Sequence, residues 1–196
     1  MNKAFWGGLC ILICGGLYLL SNSIAATLPN HFQAYLEFEK DIPQIPWFIV
    51  IYNSYFILLA LNFLLIKSPH TIRSLSITMM ASSAIACMIF VLFPGEMGFS
   101  RTSNIEGFEV LYTNLHSLDI PHNLYPSLHI TFSTLSAFAI IHQTKQKLLH
   151  YLLILWVILI SFSVVLTHQH HIFDVITGFL LAWLTIKFVY LRGVKA

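Results

Sequence analysis

The stretch NLYPSLHITFSTLSAFAI, residues 123–140, changes character half-way along. Pro126, Ser127 and His129 lie in its first part, whereas the second part is mostly apolar. A proline near the first turn and a serine at the N-cap are typical of the start of a helix. A helix N-terminus also attracts anions, because its free N–H groups and its dipole favour negative charge. The stretch therefore predicts a membrane helix whose start is either a plain cap or an anion site.

The composition indicates that the protein folds in a lipid bilayer. Hydrophobic residues make up 57% of the 196-residue chain and charged residues only 9%, whereas a soluble domain has about 25% charged residues. The apolar residues occur in runs close to the length of a membrane-spanning helix, about 20 residues. We predict an all-α integral membrane protein, a single membrane domain over residues 1–196 with a six-transmembrane-helix bundle. The predicted spans are residues 4–26, 47–66, 75–93, 127–141, 148–166 and 175–191.

Some segments need a separate interpretation. The fourth and sixth predicted spans are short for a bilayer, so polar residues at their ends are expected at membrane depth, inside the protein. Residues 27–46 are predicted to contain an interfacial helix, and residues 94–126 to form a long functional loop. The first segment also resembles a secretory signal that ends in NSIAAT, but its length favours retention as a membrane helix.

The charged residues predict the orientation of the spans, because basic residues favour the cytoplasmic side of a membrane. If the N-terminus is cytoplasmic, every acidic residue lies on the outer side, and Lys40 and Arg101 are the only basic residues there. We therefore predict that both termini are cytoplasmic. The small size of the chain favours a bacterial inner membrane, which places the outer face of the bundle in the periplasm.

This topology brings two histidine-containing segments to the outer face. Ser127 and His129 lie at the start of the fourth span, and THQHHIFD, residues 167–174, joins the fifth span to the sixth. His170 and Asp174 are one helical turn apart, so their side chains can share a face. A carboxylate beside an imidazole fixes the tautomer of the ring and leaves its other nitrogen free as a base or nucleophile.

The combination is suited to phosphoryl transfer. First-turn N–H groups of the fourth span can face a phosphate. His170 can attack phosphorus while Asp174 stabilises the imidazolium that develops, and protonated His129 can supply the proton that the leaving alkoxide needs. This scheme requires no metal and no cofactor.

The two motifs also carry a family resemblance. PSLH followed about forty residues later by H-x-x-x-D resembles the type 2 phosphatidate phosphatase superfamily of membrane enzymes. The variant NLYPSLH…VLTHQHHIFDVITG is most similar to the inositol-phosphorylceramide-synthase-like branch. The resemblance implies a six-helix fold and a phosphohistidine intermediate. It also implies that His170 is the nucleophile, Asp174 its orienting carboxylate, His129 the general acid and Ser127 a residue that helps to hold phosphate.

The chain departs from the superfamily pattern in its basic residues. Leu128 stands where the familiar motif has a glycine, and Val164 stands where it has a phosphate-binding arginine. The usual first motif, a lysine followed by Arg-Pro, is absent. Arg101, the only arginine on the predicted outer face, is therefore predicted to clamp the phosphate, with His168 as a second candidate. The alternative for Arg101 is a solvated ion pair with Glu96 or Glu106.

We expect a membrane lipid phosphatase or phosphotransferase that cleaves a lipid phosphomonoester or diphosphate. Hydrolysis and transfer to a lipid or polyol hydroxyl share the first half-reaction, and both remain open. The expected partners are a lipid phosphate substrate and membrane lipids, with no nucleic acid; the sequence leaves the oligomeric state open. A metal- or haem-binding membrane protein and a catalytically inactive lipid-binding relative are the alternatives. The metal alternative would use the imidazoles and the carboxylate of His129, His168, His170, His171 and Asp174.

Overall fold

The computed structural model describes residues 2–103 and 105–195, and this part of the chain is helical apart from connecting segments and one isolated bridge between Phe32 and Gly95. Eight α-helices follow one another along the chain, with a short 3-10 helix at Glu37–Asp41 and a π-helical segment at Ile186–Tyr190. The α-helices are α1 (Lys3–Thr27), α2 (Phe48–Leu65), α3 (Pro69–Leu92), α4 (Glu109–Leu118), α5 (Leu128–Gln143), α6 (Lys147–Leu166), α7 (Ile172–Thr185) and α8 (Leu191–Lys195).

Within the described part of the chain, five helical segments are long and apolar enough to cross a membrane, so the chain is a multi-pass membrane protein. They are α1, α2, α3, α6 and the continuous segment Ile172–Lys195. All six predicted spans are helical, but α5 has only 16 residues. The six-span count therefore stays a prediction. The third helix begins six residues before its predicted span, because Ser68 caps it by accepting from the Thr71 N–H at 3.3 Å and Pro69 occupies its first turn.

The short helix α5 lies at the centre of the bundle, where it packs against α2, α3, α6 and α7. Most of its side chains are buried, and many of them are small, including Ser133, Ser136, Ala137 and Ala139. Small residues let helix backbones approach closely inside a membrane protein. The central position of α5 places its N-terminus, with the motif residues, inside protein rather than in lipid.

Helix α7 presses directly on the start of α5. A Cβ atom at Gly178 would lie 2.7 Å from the Ser127 carbonyl oxygen, so only glycine fits there. The Thr131 hydroxyl donates to the Gly178 carbonyl at 3.0 Å, and the Ser127 N–H donates to the Asp174 carbonyl at 3.0 Å. These contacts lock together the two segments that carry the sequence motifs.

The two long connections fold over the same end of the bundle. The predicted interfacial helix at residues 27–46 is wrong in the main, since only the 3-10 helix Glu37–Asp41 forms there. Backbone hydrogen bonds join this connection to the next one, from the Phe32 N–H to the Pro94 carbonyl at 2.8 Å and from the Glu96 N–H to the Phe32 carbonyl at 3.0 Å. The Ile45 N–H donates to the Leu166 carbonyl at 2.8 Å, at the end of α6.

Candidate active site

The turn between α6 and α7 places the side chain of His170. The Val164 carbonyl accepts from the N–H groups of both Gln169 and His170 at 2.9 Å, and His168 takes a positive φ of 58°. This turn reverses the chain within a few residues, so that His170 lies immediately before the first turn of α7. Backbone hydrogen bonds of the turn therefore fix the position of the predicted nucleophile.

Asp174 lies in the first turn of α7 and pairs with His170 as predicted from their spacing. Its Oδ2 accepts from the His171 N–H at 2.8 Å and lies 3.2 Å from Nδ1 of His170. Both side chains are nearly buried, with 6% and 1% of their surface exposed. The carboxylate holds the hydrogen on Nδ1, and no residue in the described ranges forms a hydrogen bond with Nε2 of His170. That nitrogen is available for chemistry.

His129 faces His170 from the first turn of α5. The ring centroids of the two histidines are 6.0 Å apart. The half-buried His129 ring lies between Tyr52 and Tyr55, at centroid distances of 4.5 and 4.6 Å. The two rings are close enough for one phosphoryl group to contact both, which suits a nucleophile and a proton donor.

Ser127 is the N-cap of α5. Its hydroxyl accepts from the Ile130 N–H at 3.5 Å, and the residue has no exposed surface. The hydroxyl therefore caps the helix, as predicted by the interpretation of Ser127 as a plain N-cap. Its predicted contact with phosphate is not tested by this geometry and stays a prediction.

Arg101 lies beside the segment that carries the nucleophile. It donates through Nη1 to the Asp119 carbonyl at 2.7 Å and through Nη2 to the Gln169 side chain at 2.9 Å. Its ion-pair partner is Asp119, with Nη2 4.0 Å from Oδ2, and not Glu96 or Glu106. The buried Nε–H has no partner among the residues that the structure describes. Arg101 therefore keeps a donor for an anion.

A polar network surrounds Arg101, and no local sequence pattern predicted it. The Tyr18 hydroxyl donates to the Asp119 carboxylate. Burial raises the pKa of Asp119, and the Tyr18 hydroxyl and the Arg101 charge oppose that shift. Burial and the positive charge of Arg101 lower the pKa of His116 to about 4, so His116 is neutral near pH 7. Arg101 and Asp119 are thus the main charges of this network.

His168 is engaged away from the His170–Asp174 pair. Its ring stacks on Phe99 with centroids 4.0 Å apart, and its Nε2 lies 2.9 Å from the Ile42 carbonyl, to which it donates. Burial lowers the pKa of His168. The predicted phosphate contact of His168 is untested, and Nε2 of the ring already has a protein partner.

A second imidazole–carboxylate pair lies next to the first, and its only signal in the sequence is a weak one, an acid in an aromatic-rich segment. Glu39, only 1% exposed, accepts from the Leu36 N–H at 2.9 Å and from the Ile172 N–H at 2.8 Å. The same carboxylate lies 3.2 Å from Nδ1 of His171, and the Gly98 N–H donates to Nε2 at 3.0 Å. Burial lowers the pKa of His171. Both ring nitrogens are therefore occupied.

The metal-site alternative finds no support in the arrangement of the donors. Within residues 2–103 and 105–195, no three His, Cys, Asp or Glu side chains are grouped so that they could hold a metal ion. The three neighbouring histidines are separated by their partners, since His168 turns to a carbonyl, His170 to Asp174 and His171 to Glu39.

Comparison with known protein families supports the resemblance seen in the two motifs. The model of the PAP2 superfamily, the type 2 phosphatidate phosphatases, matches residues 31–188. This range includes both histidine motifs, Glu39 and Arg101. No curated protein matches the chain significantly. The match confirms the resemblance at the level of the superfamily; the predicted likeness to the inositol-phosphorylceramide-synthase-like branch stays a prediction.

Proposed function

Because the chain belongs to the PAP2 superfamily, we propose that it is a membrane-bound enzyme that cleaves lipid phosphates through a phosphohistidine at His170. Superfamily membership supports phosphatase or phosphotransferase activity on lipid phosphates. The observation that carries the residue assignment is the His170–Asp174 pair, with Nε2 of His170 unoccupied and the His129 ring 6.0 Å away.

In the first half-reaction, Nε2 of His170 attacks phosphorus and the bond from phosphorus to the lipid oxygen breaks. Protonated His129 gives its proton to that leaving oxygen, and Asp174 stabilises the imidazolium. In the second half-reaction, neutral His129 takes a proton from water and the water oxygen attacks phosphorus. The phosphorus–nitrogen bond breaks, which releases phosphate and restores His170 and His129. Atoms and protons balance over the cycle without a metal or a cofactor.

The phosphate is held by the start of α5 and by Arg101. The first-turn N–H groups of α5 and its dipole favour an anion there. Arg101 adds a fixed positive charge and the Nε–H that lacks a protein partner in the described part of the chain. Ser127 and His168 stay further candidates for contact with the phosphate, and one polar atom of each already has a protein partner.

The proposed membrane placement follows from the charges and from the length of α5. Six spans with both termini in the cytoplasm put the site at the periplasmic face of a bacterial inner membrane. Helix α5 has 16 residues and is about 24 Å long, less than the hydrocarbon core of about 30 Å. Its start, with His129, then lies several ångströms below the outer boundary of the core, within reach of a lipid headgroup.

Water is the proposed acceptor, which makes the enzyme a phosphatase. A lipid or polyol hydroxyl in place of water would make it a phosphotransferase, and the form of the two motifs favours that second candidate. The two activities differ only in the second half-reaction.

The experiment is a screen of the purified protein in lipid nanodiscs with EDTA present. The substrates are phosphatidate, phosphatidylglycerophosphate, an isoprenyl diphosphate and lipid A phosphate, each with and without a polyol acceptor. We expect phosphate release from at least one of them, lost in His170→Asn and kept in His150→Asn. His150 is the matched control because it lies in the first turn of α6, where its Nε2 meets the Thr144 carbonyl at 2.9 Å. Full turnover in His170→Asn would overturn the proposal.

A further inference from the structure

An apolar groove leads away from the candidate active site into the bundle. It has a volume of about 620 Å³ and is lined by α1, α2, α3 and α5. His129 and Tyr18 line one end of it. The Tyr18 hydroxyl binds Asp119, the ion-pair partner of Arg101. The groove is therefore continuous with the place where the phosphate is proposed to bind.

The groove opens sideways between α1 and α2. Helix α1 packs mainly on α3, whereas α2 packs on α5 and α6, which leaves a gap between the first two helices. Ile11 and Phe56 line the gap and are 73% and 60% exposed, so the groove communicates with the surrounding lipid. Gly15 also lines it, and a Cβ atom there would meet nothing within 4 Å. The absence of a side chain at Gly15 widens the groove at this point.

The other end of the groove is closed. Gly7 and Phe63 both line it there, and a Cβ atom at Gly7 would lie 2.2 Å from Cζ of Phe63. The Lys3 ammonium donates to the Phe63 carbonyl at 3.5 Å and also to the Ile66 carbonyl, which ties α1 to the end of α2. The ring of Phe63 thus forms the floor.

The length of the groove follows from the helix that forms its side. Tyr18 and Gly7 are eleven residues apart on α1, which corresponds to about 16 Å at 1.5 Å per residue. The hydrocarbon core of a bilayer is about 30 Å thick. The groove is therefore close in length to one leaflet of the bilayer, so its depth matches an acyl chain that spans one leaflet.

We propose that the groove binds one acyl chain of the lipid phosphate substrate, with Phe63 as the floor that limits the length of chain it accepts. The proposal rests on the proposed function, because the chain is placed by its phosphate at His170 and His129. A straight acyl chain of ordinary bilayer length fills the groove. A much longer polyprenyl chain has to leave through the gap between α1 and α2.

The test uses variants of two neighbouring glycines. Gly15→Phe puts a large side chain into the groove. Gly16→Phe makes the same change one residue further along, where the glycine does not line the groove and a Cβ atom would also meet nothing within 4 Å. Both variants add an aromatic side chain at an exposed position of one membrane helix, so they are matched for their effects on folding. Phe63→Ala removes the floor.

The activity readout is kcat/KM for a series of monomeric alkyl phosphates of increasing chain length, together with glycerol phosphate, which has no chain. In wild type we expect kcat/KM to rise with chain length and then to level off. Each methylene that moves from water into an apolar site should increase kcat/KM by a factor of at most about four. Gly15→Phe should lower kcat/KM for the long chains at least tenfold and leave glycerol phosphate unchanged. Phe63→Ala should move the plateau to longer chains, and Gly16→Phe should follow wild type.

A binding readout separates this proposal from the proposed function. An alkylphosphonate that cannot be hydrolysed and carries a diazirine at the end of its chain is crosslinked to the protein, and the adduct is mapped by mass spectrometry. We expect adducts on groove residues such as Ile11, Leu59 and Phe63, even if the protein hydrolyses none of the phosphates. Adducts elsewhere, or a Gly15→Phe variant with the chain-length profile of wild type, would overturn the groove proposal while normal phosphate release would leave the proposed function standing.

Discussion

Two neighbouring histidines, His170 and His171, each pair with a buried carboxylate through Nδ1 at the same distance of 3.2 Å. The difference between them lies in the second ring nitrogen. Nε2 of His171 accepts from the Gly98 N–H at 3.0 Å, whereas no residue in the described parts of the chain bonds to Nε2 of His170. His171 is also stacked between Tyr35 and Phe99, at centroid distances of 4.5 and 4.3 Å.

An imidazole–carboxylate pair alone therefore does not identify a nucleophile. The pair fixes the tautomer in both cases, and the surroundings of the other nitrogen decide between chemistry and structure. His171 ties α7 to the 3-10 helix and to the 93–127 connection, through Glu39 and Gly98. We therefore propose that His170 carries out the reaction and that His171 holds the segment in which His170 lies.

The largest expected effect separates the two histidines. His170→Asn should lower kcat by at least about 10⁴-fold, because removal of a nucleophile leaves only the rate supported by binding. His171→Asn should keep measurable turnover and lower thermal stability instead. The measurement is phosphate release at saturating substrate, with melting temperature followed in parallel. Equal losses of kcat in the two variants would contradict the assignment.

The next effect concerns the charge that serves the phosphate at His170. Arg101→Gln should raise KM by about 10- to 100-fold, since a hydrogen bond to a charged group contributes about 1.5–3 kcal/mol. Arg101→Lys should recover part of this, because it keeps the charge but not the planar guanidinium. Asp119→Asn removes the competing carboxylate and should lower KM. The measurement is KM for the best substrate of the screen, and an unchanged KM in Arg101→Gln would remove Arg101 from the phosphate site.

A smaller effect on activity tests the second pair directly. Glu39→Gln should lower the free energy of unfolding by about 1–3 kcal/mol, because it leaves one of the buried donors without an acceptor. We expect kcat per folded molecule to fall by less than about tenfold, because His170 is still present and is only positioned less precisely. Glu37→Gln is the matched control, since Glu37 lies on the same 3-10 helix and its side chain is 73% exposed. A loss of kcat in Glu39→Gln as large as that in His170→Asn would make the second pair catalytic.

The smallest expected effect concerns Ser127. Ser127→Ala should lower stability by about 1 kcal/mol, the usual cost of losing an N-cap, with KM close to that of wild type. Thermal unfolding and KM measured on the same preparation check both parts. An increase of KM above tenfold would support the predicted contact between the Ser127 hydroxyl and phosphate.

The sequence was sufficient to predict the helices and the first imidazole–carboxylate pair, because both depend on local spacing. His170 and Asp174 are four residues apart, and the apolar runs mark the helices. Glu39 and His171 are 132 residues apart in sequence, so no local pattern connects them. The alternative for Arg101, an ion pair with Glu96 or Glu106, was wrong for a related reason, since Asp119 meets Arg101 only when the long connection folds back on itself.

The structure accounts for one of two positions that depart from the superfamily pattern, Val164, but not for the other, Leu128. Val164, in the place of the usual arginine, is fully buried, and its carbonyl shapes the turn that carries His170. Arg101 approaches the same region from another connection, through Gln169. A positive charge supplied from a distant segment cannot be located from the motif itself. Nothing in the structure explains why leucine rather than glycine stands at position 128.

The most direct test is to trap the covalent intermediate and locate it. The protein is mixed with a lipid phosphate labelled with ³²P, quenched in alkali within milliseconds and digested, because a phosphohistidine survives alkali and is lost in acid. We expect one labelled peptide that contains His170, with the label absent in His170→Asn and present in His171→Asn. Label on His171, or turnover by the wild type with no acid-labile label at any quench time, would contradict it.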